Sequence, residues 1–441
     1  MKHIFIILFA LLNASIAWAD IEINEKNFPD PLFRSYLRNV YAKDGLLTDE
    51  IIAGVKRIYL PAPNSVQSLK GIEYLTALEE LYCERSMLTE LDISKNTKLT
   101  RLYCSENQIT TLDVSKNTEL KELYCDINML TELDVSMCTK LEELCCDDNQ
   151  FTKLDVSKNL ELRVLLCAVY ELTELDVSMC SKLEELYCDY NQLTEIDVSK
   201  NPELKILYCS NNPLTGLDLS KNPELSDLYC SEDQLAELDL SKNPKLRLLN
   251  CPKNHLTELD LSENIQLRYL DCPKNQLTEL DLSKNTELWS LDCSGNQLTE
   301  LDLSKNTTLY YFMLYNNEIK GKGMDVLVES LPIVNNGKLI AIINNDEHNV
   351  MTKAQVAAAK EKGWTPYEIT DDGSRESYEG SDNTDGIDNI ITTPSGSDPT
   401  IYNLSGQRLN KMQKGINIIN GKKIIAYYTK KSDHRGRSFC R

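Results

Sequence analysis

The chain has 441 residues, 41% of them hydrophobic, and its 47 basic and 68 acidic residues give a formal net charge of −21. This hydrophobic share is sufficient for a packed interior, whereas the negative charge repels nucleic acids and anionic lipid surfaces. We therefore expect neither nucleic acid nor an anionic membrane surface as a partner.

The N-terminus has the arrangement of an export signal. Lys2 precedes the apolar run 4–12, and Ala-Trp-Ala at 17–19 places small residues where a signal peptidase cuts. Such a short run does not cross a bilayer, so we predict that residues 1–19 are a signal peptide removed before Asp20. The mature protein would then be secreted or held at the cell surface, with no transmembrane segment.

A 21-residue unit repeats without insertion or deletion through the middle of the chain. One copy, read from Leu99, is LTRLYCSENQITTLDVSKNTE, in which Leu102 and Cys104 alternate with polar residues and Asn107 precedes Ile109. This is the leucine-rich repeat pattern LxxLxLxxNxL with cysteine at the third apolar position. The cysteines at this position are Cys83, Cys104, Cys125, Cys146, Cys167, Cys188, Cys209, Cys230, Cys251, Cys272 and Cys293.

The pattern predicts a mainly β fold, a right-handed leucine-rich repeat solenoid over residues 55–319. Alternation places a parallel β-sheet on the concave face, and the few residues left in each unit allow only short extended segments and turns on the convex side. No unit buries enough apolar surface to fold alone, so the stack needs caps. We predict a helical N-terminal cap over 20–54 and an α/β C-terminal cap over 320–370.

The remaining C-terminal sequence divides into three parts. Residues 371–397 are acidic, rich in Gly and Ser and without periodicity, which predicts a flexible linker. A small β module is predicted over 398–428, and a basic tail follows over 429–441.

The cysteine ladder is predicted to consist of buried free thiols. Although export permits disulfides, in-register Cβ atoms on parallel strands lie about 4.8 Å apart, beyond the usual span of a bridge. Cys138 and Cys180 are two repeats apart, roughly 9.6 Å, which is also too far. Cys145 and Cys440 have no evident partner.

Two polar columns recur with the same period. Asn107 and its equivalents are expected to bond backbone groups from coil to coil, except where Ser86, Tyr170 and Asp233 interrupt the column. The eleven carboxylates of the column that begins at Asp92 allow a calcium hypothesis. We favour the interpretation that each Asp accepts backbone N–H bonds in its own turn, and we expect no metal and no cofactor.

The outward strand positions suggest a binding surface. One column carries Tyr59, Tyr82, Tyr103, Tyr124, Tyr187, Tyr208 and Tyr229, and Tyr269 and Tyr311 stand on the adjacent column. Acidic residues flank them at Glu80, Glu122, Glu143, Glu185, Asp126, Asp147 and Asp189. Tyrosine suits binding, but it is also a good exposed strand former whose rings stabilise one another. Both interpretations stay open.

The sequence gives no support for catalysis. Its four histidines are His3, His255, His348 and His434, with no patterned nucleophile beside them. The ladder cysteines are expected to point inward, and no CxxC, HExxH, GxSxG or phosphate-binding loop is present. We expect a non-enzymatic protein.

The repeat with its cysteine ladder resembles the internalin J type of bacterial leucine-rich repeat, since period, Cys, Asn and LDLSKN all agree over residues 78–319. The resemblance implies a surface adhesin or interaction protein. The stretches INEKNFPDPLFRSYL and NVMTKAQVAAAKEKGW resemble flanks of such proteins in Gram-negative anaerobes. They imply an outer-membrane or secreted location.

The final module is similar to the C-terminal sorting domains of type IX secretion. Its matching residues are Ile401, Tyr402, Gly406, Leu409, Gly415 and Ile416. Asn417 stands where an aromatic residue is usual, and the chain continues beyond Tyr428. A working sorting signal, a relic of one and a simple β cap therefore all remain open.

Taken together, the residues and the resemblance predict a secreted or cell-surface protein that binds a protein partner on its concave face through the tyrosines. One alternative is a carbohydrate-binding surface or accessory protein, in which the same rings stack on sugars. The other is a structural envelope protein with no ligand.

Overall fold

The computed structural model describes residues 20–61, 65–168, 171–343 and 348–382, and the backbone of four short strands between residues 401 and 426. The predicted signal peptide, the basic tail with Cys440, Tyr170 and most of the predicted linker lie outside the described residues.

A small cap covers the N-terminal end of the solenoid. Asp30 begins its first helix by accepting two backbone N–H groups of the first turn. Phe33 and Leu37 are buried on its inner face, and Phe28 packs edge-on against Phe33 with ring centroids 5.9 Å apart. The elements are β1 (Ile21–Glu22), α1 (Pro31–Val40), β2 (Leu46–Leu47), paired antiparallel with β1, and α2 (Asp49–Gly54).

Thirteen three-residue strands form the repetitive part of the concave sheet. They are β3 (Arg57–Tyr59), β4 (Glu80–Tyr82), β5 (Arg101–Tyr103), β6 (Glu122–Tyr124), β7 (Glu143–Cys145), β8 (Val164–Leu166), β9 (Glu185–Tyr187), β10 (Ile206–Tyr208), β11 (Asp227–Tyr229), β12 (Leu248–Asn250), β13 (Tyr269–Asp271), β14 (Ser290–Asp292) and β15 (Tyr311–Met313).

Each of these strands pairs in parallel with the next, in register with the sequence repeat; Tyr82, for example, pairs with Tyr59 and Tyr103. The central residue of each strand, such as Leu102, is buried and its two neighbours face outward. Between the strands, the described residues from 80 to 313 form turns and no helix. The predicted leucine-rich repeat solenoid is confirmed.

The C-terminal cap continues the sheet instead of merely covering it. Strand β16 pairs in parallel with β15, β17 in parallel with β16, and β18 antiparallel with β17, giving one sheet of 16 strands. The elements are α3 (Lys322–Ser330), β16 (Gly337–Ile343), α4 (Lys353–Glu361), β17 (Trp364–Ile369) and β18 (Arg375–Ser377).

Strand β18 corrects the predicted start of the linker. A flexible segment from residue 371 is wrong for residues 371–382, because the turn after β17 returns the chain to the sheet edge. Farther on, β19 (Ile401–Tyr402), β20 (Arg408–Leu409), β21 (Gly415–Ile419) and β22 (Lys422–Ala426) form a separate antiparallel sheet in the order β20-β19-β21-β22. In the described part of the chain, no helix is long and apolar enough to cross a membrane.

All fourteen cysteines that the structure describes are free and buried. The eleven of the ladder have no measurable exposure, and several thiols approach the backbone of the next coil, as Cys188 Sγ does at 3.3 Å from the carbonyl oxygen of Tyr208. Burial raises the pKa of the ladder thiols, so they remain neutral. The prediction of buried free thiols is confirmed for these residues.

The predicted asparagine column joins each coil to the one before it. Asn107 donates through Nδ2 to the carbonyl oxygens of Cys83 at 2.9 Å and Cys104 at 3.0 Å, and its Oδ1 accepts the N–H of Leu88 at 3.1 Å. The preceding residue, Glu106, has a left-handed backbone with φ of 53°. The asparagine bonds therefore hold a turn that costs an L-residue free energy.

A second asparagine column, which the sequence analysis did not identify, runs along the convex turns. Asn117 donates to the carbonyl oxygens of Ile93 at 3.1 Å and Asn96 at 2.9 Å. Cys138 and Cys180 occupy this position in their own repeats, and the thiol of each lies 3.7 Å from a carbonyl oxygen of the preceding coil. These two cysteines thus replace asparagines in the stack.

Asp233 replaces asparagine in the first column and is only 4% exposed. Its Oδ1 accepts the N–H of Asn212 at 2.9 Å, while Oδ2 has no hydrogen-bond partner in the described part of the chain. Burial raises the pKa of Asp233 to about 7. An ionised carboxylate, unlike an amide, cannot donate to the carbonyl oxygens of Cys209 and Cys230 that an asparagine would reach.

Asp233→Asn is expected to stabilise the protein, and more so in mild alkali. The carboxyl has a pKa of about 7 in the folded protein against an ordinary value of 3.8. Stability is therefore lost as pH rises from the lower to the higher value, and the loss is complete above it. We expect a gain on the order of 2–4 kcal/mol at about pH 8 and little at about pH 4, measured by urea unfolding. The matched variant Asn212→Asp should lose stability with the same pH dependence, and a gain independent of pH would contradict this account.

The thiols at the fourteen described positions are expected to react with 5,5′-dithiobis(2-nitrobenzoate) only when the protein unfolds, because burial keeps them protonated and covered. A Cys440→Ser background removes the one cysteine that the structure does not describe. Dithiothreitol should leave the thermal midpoint unchanged, since no disulfide joins these residues. A midpoint that fell by several degrees on reduction would contradict the free-thiol ladder.

Candidate binding surface

The first tyrosines of the predicted column stack along the concave face. The rings of Tyr82 and Tyr103 lie 4.8 Å apart and those of Tyr103 and Tyr124 lie 4.6 Å apart, with interplanar angles of 16° and 13°. Tyr59 starts the column, tilted against Tyr82 at 5.8 Å and 56% exposed. In such a stack the ring faces cover one another, so solvent meets mainly ring edges and hydroxyl groups.

The later tyrosines form a second stack in the same column. The ring of Tyr208 lies 4.8 Å from that of Tyr187 and 4.0 Å from that of Tyr229. Cys145 and Leu166 stand between the two stacks, at the positions that pair with Tyr124 and Tyr187. The rings thus support one another, and their role in binding stays a prediction.

Carboxylates on the adjacent column hold several tyrosine hydroxyls. Tyr124 donates to Glu143 at 2.7 Å and Tyr187 to Glu185 at 2.9 Å, and a similar bond joins Tyr103 to the glutamate of the next strand. Burial first, and these bonds second, raise the pKa of all three phenols above the ordinary value of 10. The hydroxyl groups therefore remain protonated at neutral pH.

Arginines neutralise the acidic flank of the first stack. Arg101 lies between Glu80 at 3.2 Å and Glu122 at 2.8 Å, and Arg57 also contacts Glu80 at 2.5 Å. The sequence predicts carboxylates beside these tyrosines but does not show that arginines pair with them. Beside the first stack, the positive charges of the two arginines therefore balance the negative charges of the two glutamates.

The surface between the two stacks and beside the second one carries more unpaired negative charge than the surface beside the first stack. Asp147 and Asp189, at the exits of their strands, accept the backbone N–H groups of Ala168 at 2.6 Å and Ser210 at 2.7 Å. Burial raises the pKa of both carboxyls to about 6. Neither has a Lys or Arg within 4.0 Å among the residues that the structure describes.

Beyond Tyr229 the column becomes polar, as the sequence indicated. Asn250 donates to Asp271 at 2.6 Å, and Asp292 accepts the N–H of Ser294 at 2.9 Å. Burial raises the pKa of Asp271 to about 6 and also raises that of Asp292. This end of the column thus offers hydrogen-bonding groups and no aromatic anchor.

An aromatic cluster that the sequence analysis did not identify lies on the same face. Trp289 stacks on Tyr310 with ring centroids 5.6 Å apart and lies equally far from Tyr269. Trp289 and Tyr269 are each 44% exposed. Trp289 and Tyr310 are 21 residues apart, which places them side by side on successive coils. This signal is weak in the sequence because their column otherwise carries mostly charged residues. Nearby, Arg375 of β18 lies over the ring of Tyr311 at 5.7 Å.

The aspartate column forms turns, as we favoured. Asp92 accepts the N–H of Ser94 at 3.0 Å and Asp113 that of Ser115 at 2.9 Å, and bonds to the following serine hold the pKa of both carboxyls below the ordinary value. In the described ranges, no group of three or more His, Cys, Asp or Glu side chains is arranged to hold a metal ion.

A separate groove of about 1170 Å³ follows the Leu-Asp segments of the last five repeats. Leucines such as Leu259 and Leu280 form its floor but are at least nine-tenths buried, and the remaining lining is largely carboxylate. The groove presents no aromatic side chain, so the concave face is the better candidate for a binding surface.

Comparison with solved structures finds close likeness among bacterial leucine-rich repeat proteins. The functional domain of InlJ from Listeria monocytogenes, which includes a cysteine ladder, is 33% identical, with 79% of this chain and 81% of that chain covered and a TM-score of 0.66. The internalin InlF of the same species is 24% identical, with 72% and 98% covered and a TM-score of 0.65. A leucine-rich repeat protein of Leptospira interrogans is 21% identical, with 71% and 89% covered and a TM-score of 0.53.

The last two likenesses, below a quarter identity, concern the fold alone. No family model and no curated protein sequence matches this chain.

A variant with Phe at positions 103, 124, 187 and 208 is expected to unfold more easily at neutral pH but to resist alkali better. The lost hydroxyl–carboxylate bonds of Tyr103, Tyr124 and Tyr187 cost about 1.5–3 kcal/mol each, and Tyr208 loses a bond to the hydroxyl of Tyr229. The native phenols have folded-state pKa values above 10, so the native protein loses stability as pH rises past 10, and phenylalanine has no proton to lose. Urea unfolding at about pH 8 and about pH 11 measures both effects. An equal loss at the two pH values would show that the hydroxyls do not titrate as the geometry requires.

Proposed function

The chain belongs to the internalin-like leucine-rich repeat family, and from that premise we propose that it is an exported, non-enzymatic protein that binds a protein partner on its concave face. The observation that carries the proposal is the tyrosine column, with its protonated hydroxyls held by carboxylates. Tyrosines fixed in this way meet a partner with little further loss of side-chain entropy.

The stacking of the rings favours a protein over a glycan as the ligand of this column. Sugar rings bind aromatic side chains face to face, but the faces of Tyr82, Tyr103 and Tyr124 already cover one another. The exposed edges, hydroxyls and carboxylates instead suit backbone amides and basic side chains.

Export is supported by the sequence of residues 1–19 and by the likeness to an internalin, since internalin-like proteins are extracellular or surface proteins. The likeness of residues 401–416 to type IX sorting domains is consistent with delivery to the surface of a Gram-negative cell.

Carbohydrate binding is the second candidate, and it concerns a different part of the same face. Trp289 and Tyr269 are each 44% exposed, in contrast to the half-buried rings within the tyrosine stacks. A glycan-binding role would therefore depend on Trp289, and Trp289→Ala would abolish binding on a glycan array.

The variant Tyr103→Ala, Tyr124→Ala, Tyr187→Ala, Tyr208→Ala is expected to lose its protein partner because it removes the anchors of both stacks. The partner is recovered with the full-length chain from surface extracts, purified, and titrated against the native chain and the variant. We expect affinity to fall at least tenfold, about 1.4 kcal/mol or more.

The matched control replaces Met137, Leu160, Met179 and Ile265, four exposed apolar side chains in the turns outside the strands, with Ala. Circular dichroism shows whether each variant is folded, and the single variants Tyr124→Ala and Tyr208→Ala are used if the fourfold variant is not. Unchanged affinity in the tyrosine variants, or equal loss in the control, would move the site away from the concave face. Absence of any saturable ligand would favour a purely structural protein.

A further inference from the structure

The tyrosine column has one interruption inside it, between Tyr124 and Tyr187. Two consecutive strands carry other residues there: Cys145, which is 6% exposed, and Leu166. We call this interruption the tyrosine gap. Because these two side chains are smaller than tyrosine, the gap is a notch with an apolar floor and an aromatic ring at each end.

The dimensions of the gap follow from the register of the strands. Adjacent strands lie about 4.8 Å apart, so three steps place the two rings about 14 Å apart. Neighbouring rings from Tyr82 to Tyr124 and from Tyr187 to Tyr229 have centroids 4.0–4.8 Å apart. The gap therefore has room for two planar groups that continue the stack.

The rings that bound the gap have faces available to a ligand. Among the described residues, Tyr124 stacks only on Tyr103, and Tyr187 has only Tyr208 as a ring neighbour, tilted by 37°. No other described ring covers the face of either ring toward the gap. Within the two stacks, by contrast, neighbouring rings cover the ring faces.

Carboxylates border the gap and form no direct ion pair with a described Lys or Arg. Glu143 and Glu185 accept the hydroxyls of Tyr124 and Tyr187. No Lys or Arg lies within 4.0 Å of either glutamate in the described ranges, and the neighbouring Arg163 is bonded to Glu184 at 2.7 Å. This differs from the first stack, where two arginines occupy the equivalent place.

The opposite margin of the gap is also acidic. It carries Asp126, Asp147 and Asp189; Asp147 accepts the backbone N–H of Ala168, and Asp189 accepts the backbone N–H of Ser210. A ligand in the gap thus lies between two rows of carboxylates and against two ring faces. A group that stacks on the ring faces and also pairs with the carboxylates is flat and positively charged.

We propose that the tyrosine gap binds arginine side chains of the partner protein, one or two guanidinium groups stacked between Tyr124 and Tyr187. The inference rests on the proposed function, because it names the partner chemistry of the same face. A guanidinium combines a planar surface for stacking with donors for the bordering carboxylates, whereas an ammonium lacks the plane and a phenyl ring lacks the charge. The chain already contains this pairing, since Arg375 lies over Tyr311 at 5.7 Å.

The test fills the gap with the residues that the other repeats carry. Cys145→Tyr with Leu166→Tyr continues the stack from Tyr124 to Tyr187, a packing that the neighbouring coils show to be compatible with the fold. The probe is the capped peptide Arg-Gly-Arg, compared with Lys-Gly-Lys and Tyr-Gly-Tyr, titrated by calorimetry and by NMR of tyrosine-labelled protein. Asn250→Tyr, which adds a ring to the same column beyond Tyr229, is the matched control.

We expect the native protein and Asn250→Tyr to bind Arg-Gly-Arg at least fivefold more tightly than Lys-Gly-Lys or Tyr-Gly-Tyr. The filled variant should lose Arg-Gly-Arg binding at least tenfold while its thermal midpoint stays equal or rises. Equal binding of the three peptides, no binding to the native chain, or full binding to the filled variant would each overturn the inference.

Failure of this inference is distinguishable from failure of the proposed function. If the filled variant keeps full affinity for the purified protein partner while the alanine variant loses it, the concave face binds the partner without the gap. If both variants keep full affinity, the concave face itself is not the site.

Discussion

Backbone hydrogen bonds between successive coils align each strand residue with the equivalent residue of the next coil. The other features of the solenoid depend on this register. The N–H of Cys104, for example, donates to the carbonyl oxygen of Tyr124 at 2.8 Å. A shift of one residue would place Tyr103 in the core and Leu102 in solvent. The constant 21-residue period keeps this register from the first cysteine of the ladder to the last.

Exact repetition brings identical side chains together at every coil, which restricts the residues that a column can contain. Thiols, amides and phenols tolerate this proximity because they are uncharged, and burial keeps the thiols and several phenols protonated. Charged columns need a different arrangement. Glu119 is paired with Lys140 of the next coil at 2.6 Å, and Arg101 separates Glu80 from Glu122. Thus several columns are neutral and others alternate in charge, whereas each carboxylate of the aspartate column is stabilised by the N–H group in its own turn.

The sequence predicted the features that depend on the period alone. The inward thiols, the bonds of Asn107 and the shared column of the tyrosines all follow from spacing and alternation. It did not predict that Arg101 would bridge two glutamates, because a long side chain has several partners within reach. The strand at 375–377 was also missed, since its residues pair only with β17 and belong to no repeat.

Other features become evident only when several columns are compared. The sequence excludes a bridge between Cys138 and Cys180, and both are free, but their place in the second asparagine column was not predicted. Trp289 and Tyr310 are not evident from the sequence because their column is otherwise mostly charged, yet their rings stack on this face and Trp289 is 44% exposed. A residue that differs from the rest of its column can be interpreted only when all columns of the repeat are compared.

A perfectly periodic concave surface could bind a ligand but could not position it. A partner displaced by one coil, about 4.8 Å, would meet the same side chains and the same free energy. Specific binding therefore requires places where the period is broken. Cys145 and Leu166 interrupt the rings, and among the described residues Glu143 and Glu185 have no ion pair like those of Glu80 with arginine. Because these departures coincide in the same three strands, a ligand that recognises both has only one register available on the sheet.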